Sequence, residues 1–166
     1  MPKISDRRKR FRTKDQIATD VAAVLNADLT WGTQHAVLAD AVWAWSEFEG
    51  KLTGCRHWSP AAWKIRDEPT KLMHEHVVPK RIIIARLSEL RGQATAATVK
   101  RVLRDWCVGV VLLRTEDALL SKAGLRAKMP DGWPETSIWA RYEHVGVTVL
   151  RDPGTAQEVE VLGSTQ

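Results

Sequence analysis

Thr70–Arg91 reads TKLMHEHVVPKRIIIARLSELR, and the fold turns on how this stretch divides. Lys71–Val78 contains no glycine and alternates, which predicts an extended segment. Successive side chains of a strand point to opposite faces, so Leu72, His74, His76 and Val78 share one side and Lys71, Met73, Glu75 and Val77 the other. Pro79 ends the strand, because it has no N–H for a ladder, and it suits the first turn of a helix. Ile82, Ile83, Arg86, Leu87 and Leu90 then recur at three and four, predicting a helix that Gly92 closes. A strand running into an apolar-faced helix points to a mixed α and β fold.

Working outward, Thr95 or Thr98 caps the next helix, with Val99, Val102, Leu103 and Trp106 on its buried side. Val108–Leu113 is apolar throughout, as expected of a central strand buried on both faces. Thr115 is the next N-cap, with Glu116 and Asp117 in the first turn where the helix dipole favours anions, and Gly124 the stop. Ile138–His144 predicts a short helix ending at Gly146. Val147–Leu150 and Glu158–Leu162 flank Asp152-Pro153-Gly154 and form a hairpin pattern. Towards the N-terminus, Thr13 and Gln16 make a capping box ahead of Ile17, Val21, Val24 and Leu25. Thr33 caps a second long helix carrying Val37, Leu38, Ala41, Val42, Trp45 and Phe48, with Gly50 at its end. Lys51–Trp58 reads as a loop. Ser59-Pro60 starts a short helix to about Arg66, stopped by Asp67-Glu68-Pro69.

The expected fold class is helix-dominated α+β. About six helices surround a small sheet led by strands near 71–78 and 108–113, with a C-terminal hairpin within 147–162. The expected organisation is a disordered basic arm over residues 1–12, a single globular domain over 13–162 and a tail over 163–166. At 166 residues, with 44% hydrophobic and 27% charged residues, the composition is that of an ordinary globular chain with a core of its own. No apolar run approaches the ~18 residues that would span a bilayer, so no membrane association is expected. The charged N-terminus lacks the apolar core of a signal peptide, and Cys55 and Cys107 stand alone without a CxxC pair. Both features fit a cytoplasmic protein with reduced thiols.

The formal charge of +5 is unevenly spread. Residues 1–14 hold Lys3, Arg7, Arg8, Lys9, Arg10, Arg12 and Lys14 against Asp6 alone, a net +6. The remaining residues carry eighteen basic and nineteen acidic side chains, a net −1. A basic arm on a near-neutral body follows phosphate backbones, since each neutralised phosphate releases counterions. The bland alternative is a solvated tail that aids solubility.

His74-Glu75-His76 is the first chemical candidate. Histidines at i and i+2 on a strand share a face and can share one divalent ion (Mg, Mn or Zn) that activates water. A third ligand must come from elsewhere: His144, His57, His35 or an acid. The zincin pattern His-Glu-x-x-His fails, because its register puts Val78 at the second histidine. The structural alternative is a strand end whose histidines are hydrogen-bonded or at the surface.

Glu75-His76-Val77-Val78-Pro79 resembles the opening of the HNH, or His-Me finger, nuclease motif. There an acidic or histidine residue followed by a histidine ends a strand, and a short apolar-proline run follows. The resemblance implies Glu75 as a metal ligand and His76 as the general base. It also implies a loop, a second strand and a helix bearing further ligands. The family's central Asn and final His or Asn have no counterpart at that spacing: the only Asn is Asn26, upstream, and the next His is His144.

Eight tryptophans dominate the aromatic content. Trp45 and Trp106 sit on apolar helix stripes and read as core. Trp43 lies off the stripe. Trp31, Trp58, Trp63 and Trp133 lie in or near loops, where tryptophan either caps a small core or stacks a base. Arg141 and His144 are helix neighbours, and an Arg–carboxylate pair to residues 115–117 or to the histidine strand is the expected use of Arg141.

Three function classes follow. The favoured one is a small bacterial or phage accessory protein whose arm (Lys3, Arg7, Arg8, Lys9, Arg10, Arg12, Lys14) contacts DNA or RNA, or a nucleic-acid-processing, host-defence-type complex with an acidic groove. The second is a metal-dependent nuclease using Glu75 and His76, with His74 or His144 as further metal ligands. The third is a structural or oligomerisation protein without catalysis.

Overall fold

A computed structural model describes residues 12–154 and 160–162. In chain order its elements are α1 (Lys14–Asn26), α2 (Trp31–Ser46), β1 (His57–Trp58), α3 (Pro60–Lys64), a 3₁₀ turn (Pro69–Lys71), β2 (Leu72–His76), α4 (Lys80–Ser88), α5 (Ala96–Trp106), β3 (Gly109–Leu113), α6 (Arg114–Lys122), α7 (Ala140–Val145), β4 (Val149–Arg151) and β5 (Glu160–Leu162). The fold is helix-dominated α+β. The chain forms two compact units, residues 1–51 with 80–108 and residues 52–79 with 109–166.

The first unit is helical. Thr13 caps α1: its hydroxyl accepts from Gln16 N at 3.1 Å, and the Gln16 side chain accepts from Thr13 N at 2.7 Å. Of the predicted stripe, Ile17, Val21 and Leu25 are fully covered and Val24 is half-buried. α1 packs on α2 and α5, α2 on α4, and α4 on α5. Leu38, Val42, Ile83, Leu87, Val99 and Leu103 complete the interior. Polar side chains tie the connections. Asn26 Nδ2 donates to Ala94 O at 2.8 Å, and Ala94 N donates to Asn26 Oδ1 at 3.0 Å. Buried Gln34 donates to Val24 O (3.1 Å) and Ala27 O (3.2 Å) and accepts from Arg91.

The second unit is built on a sheet of order β2-β3-β1-β4-β5. β3 pairs antiparallel with β2, from Leu72 opposite Leu113 to His76 opposite Gly109, and parallel with β1 through Trp58 and Val111. β4 is antiparallel to both β1 and β5, so the predicted hairpin exists. β3 is an interior strand, between β2 and β1, and Val110, Val111 and Leu112 are fully buried. Trp58, Ala62, Leu72 and Val111 form a cluster with α3, joined by Trp63, Ile65 and Leu113. α6 packs against β2 and β3, and α7 against α6.

Several boundaries differ from the expectation. The second helix starts at Trp31 with Thr30 as N-cap, not Thr33: Gln34 N already donates to Thr30 O at 3.1 Å, and the Thr33 hydroxyl lies 3.1 Å from that of Thr30. Strand β3 passes straight into α6, whose N-cap is Leu113 rather than Thr115. Glu116 accepts from Leu113 N at 2.8 Å and from the buried Ser59 hydroxyl at 2.5 Å, so one carboxylate closes both helix starts. His57-Trp58, expected in a loop, is strand β1. Two residues carry no period, and only their partners β3 and β4 make them a strand. Thr95, with Thr98, caps α5. β2 is shorter than 71–78 because residues 69–71 form a turn and the carbonyls of His76 and Val77 turn to Arg141 instead of a neighbouring strand.

Candidate functional site

β2 carries the motif residues, and the pleat separates them. His74 lies opposite Val111 and His76 opposite Gly109, on one face, while Glu75, opposite Val110, is on the other. The two imidazoles are 6.1 Å apart between centroids and nearly perpendicular, and each residue is only 3% exposed. Gly109 lets this happen. A Cβ there would run into the His74 ring, so the close approach of strand and imidazole needs glycine.

Glu75 faces Arg141, whose guanidinium is completely buried. Arg141 Nη2 donates to Glu75 Oε1 at 3.2 Å and to His76 O. Nε donates to Val77 O at 3.0 Å, and Nη1 to Leu125 O at 2.9 Å. α7 thereby clamps the end of β2 and the 125–126 loop. Gly146 ends α7 at φ 69, the left-handed turn that glycine takes without strain. Burial raises the Glu75 pKa, opposed by Arg141, while Asp117 of α6 adds to the rise. The Tyr142 hydroxyl is buried beside the same guanidinium without a hydrogen bond of good geometry, and burial drives its pKa upward.

The expected Arg141 ion pair is therefore present, and it engages one of the two Glu75 carboxylate oxygens. His144 is exposed on α7. Among the described residues no three His, Cys, Asp or Glu side chains gather as a metal site, so Glu75, His74, His76 and His144 do not converge on one ion. His57 donates from Nδ1 to Gly109 O at 3.2 Å and tilts against Trp139, 5.2 Å between centroids. Desolvation lowers its pKa, which favours the neutral ring. Burial disfavours both thiolates: it pushes Cys55 up to about 11 and raises Cys107 further.

Of the arm residues, Lys3, Arg7, Arg8, Lys9 and Arg10 lie outside the described residues, as does the 163–166 tail. Arg12 is drawn onto the helical unit, its Nη2 2.9 Å from Asp40 Oδ2. The Lys14 ammonium sits over Trp45 (5.2 Å) and Phe48 (5.4 Å). Both belong to the folded surface.

A second concentration of basic residues lies in one segment of the sequence. Residues 80–108, which form α4 and α5, contain seven basic side chains and two acidic ones. The helical unit as a whole carries fifteen basic and nine acidic residues, a net +6. The sheet unit carries ten and eleven, a net −1. The net charge of the helical unit lies in residues 1–14, since the other residues of the unit hold eight basic and eight acidic side chains.

The tryptophans divide similarly. Trp45 and Trp58 are buried, Trp58 donating from Nε1 to Cys55 O at 2.7 Å. Trp63 packs edge-on to Trp58, and Trp133 donates to Ser137 O at 2.6 Å. Trp43 lies under the Lys80 ammonium at 5.7 Å, and Trp106 under the Arg86 guanidinium at 5.4 Å. Trp31 alone among them is a large exposed hydrophobic, with half its surface in solvent. Comparison with known proteins returns no match to a family model, a curated protein or a solved structure. Among the described residues no helix is long and apolar enough to cross a membrane.

Proposed function

We propose that this protein is a small cytoplasmic accessory factor, bacterial or phage in origin, that binds DNA or RNA through its basic arm and helical unit. The observation that carries the reading is the placement of charge: +6 over residues 1–14 against −1 over the rest of the chain, with seven basic and two acidic side chains in residues 80–108. Clustered Lys and Arg gain affinity from counterion release without any base contact. A nucleic-acid-processing complex with an acidic groove is the other partner this charge would serve. The test is the affinity of the full chain for duplex DNA and for RNA at low salt. It is compared with a full-length variant carrying Lys3, Arg7, Arg8, Lys9 and Arg10 as glutamine. Large loss in the variant supports the reading; equal affinity refutes it. Binding of an acidic partner protein, with neither nucleic acid bound, transfers the arm to the second class of partner.

The nuclease reading has one supporting observation. β2, its antiparallel partner β3 and the following α6 are a strand, strand and helix of the kind the HNH resemblance implies, although Pro79 leads directly into a helix where that family has a loop and second strand. Against it stand the Arg141–Glu75 pair and the burial of His76. Incubating plasmid and single-stranded DNA with Mg²⁺, Mn²⁺ or Zn²⁺ decides it. Cleavage by wild type that is lost in His76→Ala would establish the nuclease; no cleavage, or equal cleavage, would remove it.

A further inference from the structure

A groove of about 600 Å³ opens on the helical unit, lined by Trp31 and His35 of α2 and by Arg81, Ile84, Ala85, Ser88 and Glu89 of α4. We propose that it takes an unstacked base and its phosphate from single-stranded nucleic acid, with Trp31 as the stacking surface and Arg81 as the phosphate contact. This rests on the nucleic-acid reading above and gives it a site and a strand preference.

The groove's chemistry selects this occupant. Trp31 is held from one side by the Arg91 guanidinium, 5.8 Å from the ring, and edge-on by His35 at 5.5 Å. Arg91 is itself anchored by Gln34, which is buried and bonded to the α1–α2 connection. The indole is thus positioned, yet half its surface stays in water. A fixed, exposed aromatic ring backed by a cation is what a base stacks on.

The polar groups of the groove leave one charge to offer. Glu89 is matched by Arg86 at 2.6 Å, and the Ser88 hydroxyl is spent on Ile84 O at 2.7 Å. Arg81 is exposed and makes no hydrogen bond or ion pair with any described residue. Ile84 and Ala85 supply the apolar floor. A ligand that fits has a flat apolar part and an adjacent negative charge, within a segment that is already strongly basic. In a duplex the base faces are hidden in the stack, so a single strand is the form that can use Trp31.

The experiment measures anisotropy of a labelled oligonucleotide of about 12 nucleotides, single-stranded and as duplex, with the full chain. Trp31→Ala is expected to weaken single-strand binding about tenfold and leave duplex binding unchanged, while Trp31→Phe keeps most of the affinity. Arg81→Gln is expected to make the single-strand log affinity–log salt slope shallower by about 0.7. Trp31→Ala and Arg81→Gln binding single strands like wild type would overturn the groove while leaving the arm reading intact. A wild-type chain that binds neither form sinks both. A dimer that Trp31→Ala dissociates, with oligonucleotide binding unchanged, would assign the groove to a second copy instead.

Discussion

The guanidinium of Arg141 presents its N–H donors in a rigid plane, and within the sheet unit they go to the carbonyls of His76, Val77 and Leu125 and to Glu75. A lysine ammonium is a point charge with three donors and cannot span that set. Arg141→Lys is therefore expected to lower stability by about 3 kcal/mol, read as a shift of the urea midpoint. No change would mean that the clamp is dispensable. The pair was foreshadowed by Arg141 lying on a short helix, but its partner is 66 residues away, and no local spacing encodes that distance. His57 gives a pH test. Its folded pKa is lowered, chiefly by burial and further by Arg151 and Arg56, against the Gly109 hydrogen bond and Asp152, which raise it. The unfolded state then takes up the proton first as pH falls through the ordinary value of 6.5, so stability is lost on acidification from there down to the folded value. His57→Asn is expected to flatten that part of the stability–pH curve. An unchanged curve would show that His57 stays neutral in both states or is solvated in the fold.

At the scale of elements, what was legible had a period or a cap. The Thr13–Gln16 box, the Ser59-Pro60 start, the Thr95 cap and the stripe on α1 all use contacts within four residues, and all are present. Thr13→Ala removes the hydroxyl that accepts from Gln16 N and is expected to cost about 1 kcal/mol in a thermal unfolding series. A variant as stable as wild type would mean that packing on α2 and α5 alone holds the start of α1. What was not legible depended on partners distant in sequence. β1 exists because β3 and β4 flank it, and α6 begins two residues early because Glu116 reaches back to Leu113 N. The Thr70–Arg91 stretch divides at Pro79 as its pattern predicts, strand before and helix after. Its two halves fall in different compact units, which no reading of periodicity reveals.

At the scale of the whole molecule, the account rests on where charge resides. The arm is visible in the first line of sequence. The basic α4–α5 segment is equally visible residue by residue, with seven basic and two acidic side chains in residues 80–108. The candidate site shifted accordingly. The histidine strand, which has the ligand types, is buried and clamped, whereas the helical unit, which has no motif, holds the charge and the exposed Trp31. The most direct measurement is the salt dependence of nucleic-acid affinity, for wild type and for the full-length variant with Lys3, Arg7, Arg8, Lys9 and Arg10 changed to glutamine. The account predicts a steep negative log–log slope for wild type, shallower by up to about 4 in the variant as those phosphate contacts are lost. Two identical slopes, or a wild-type affinity indifferent to salt, would contradict it.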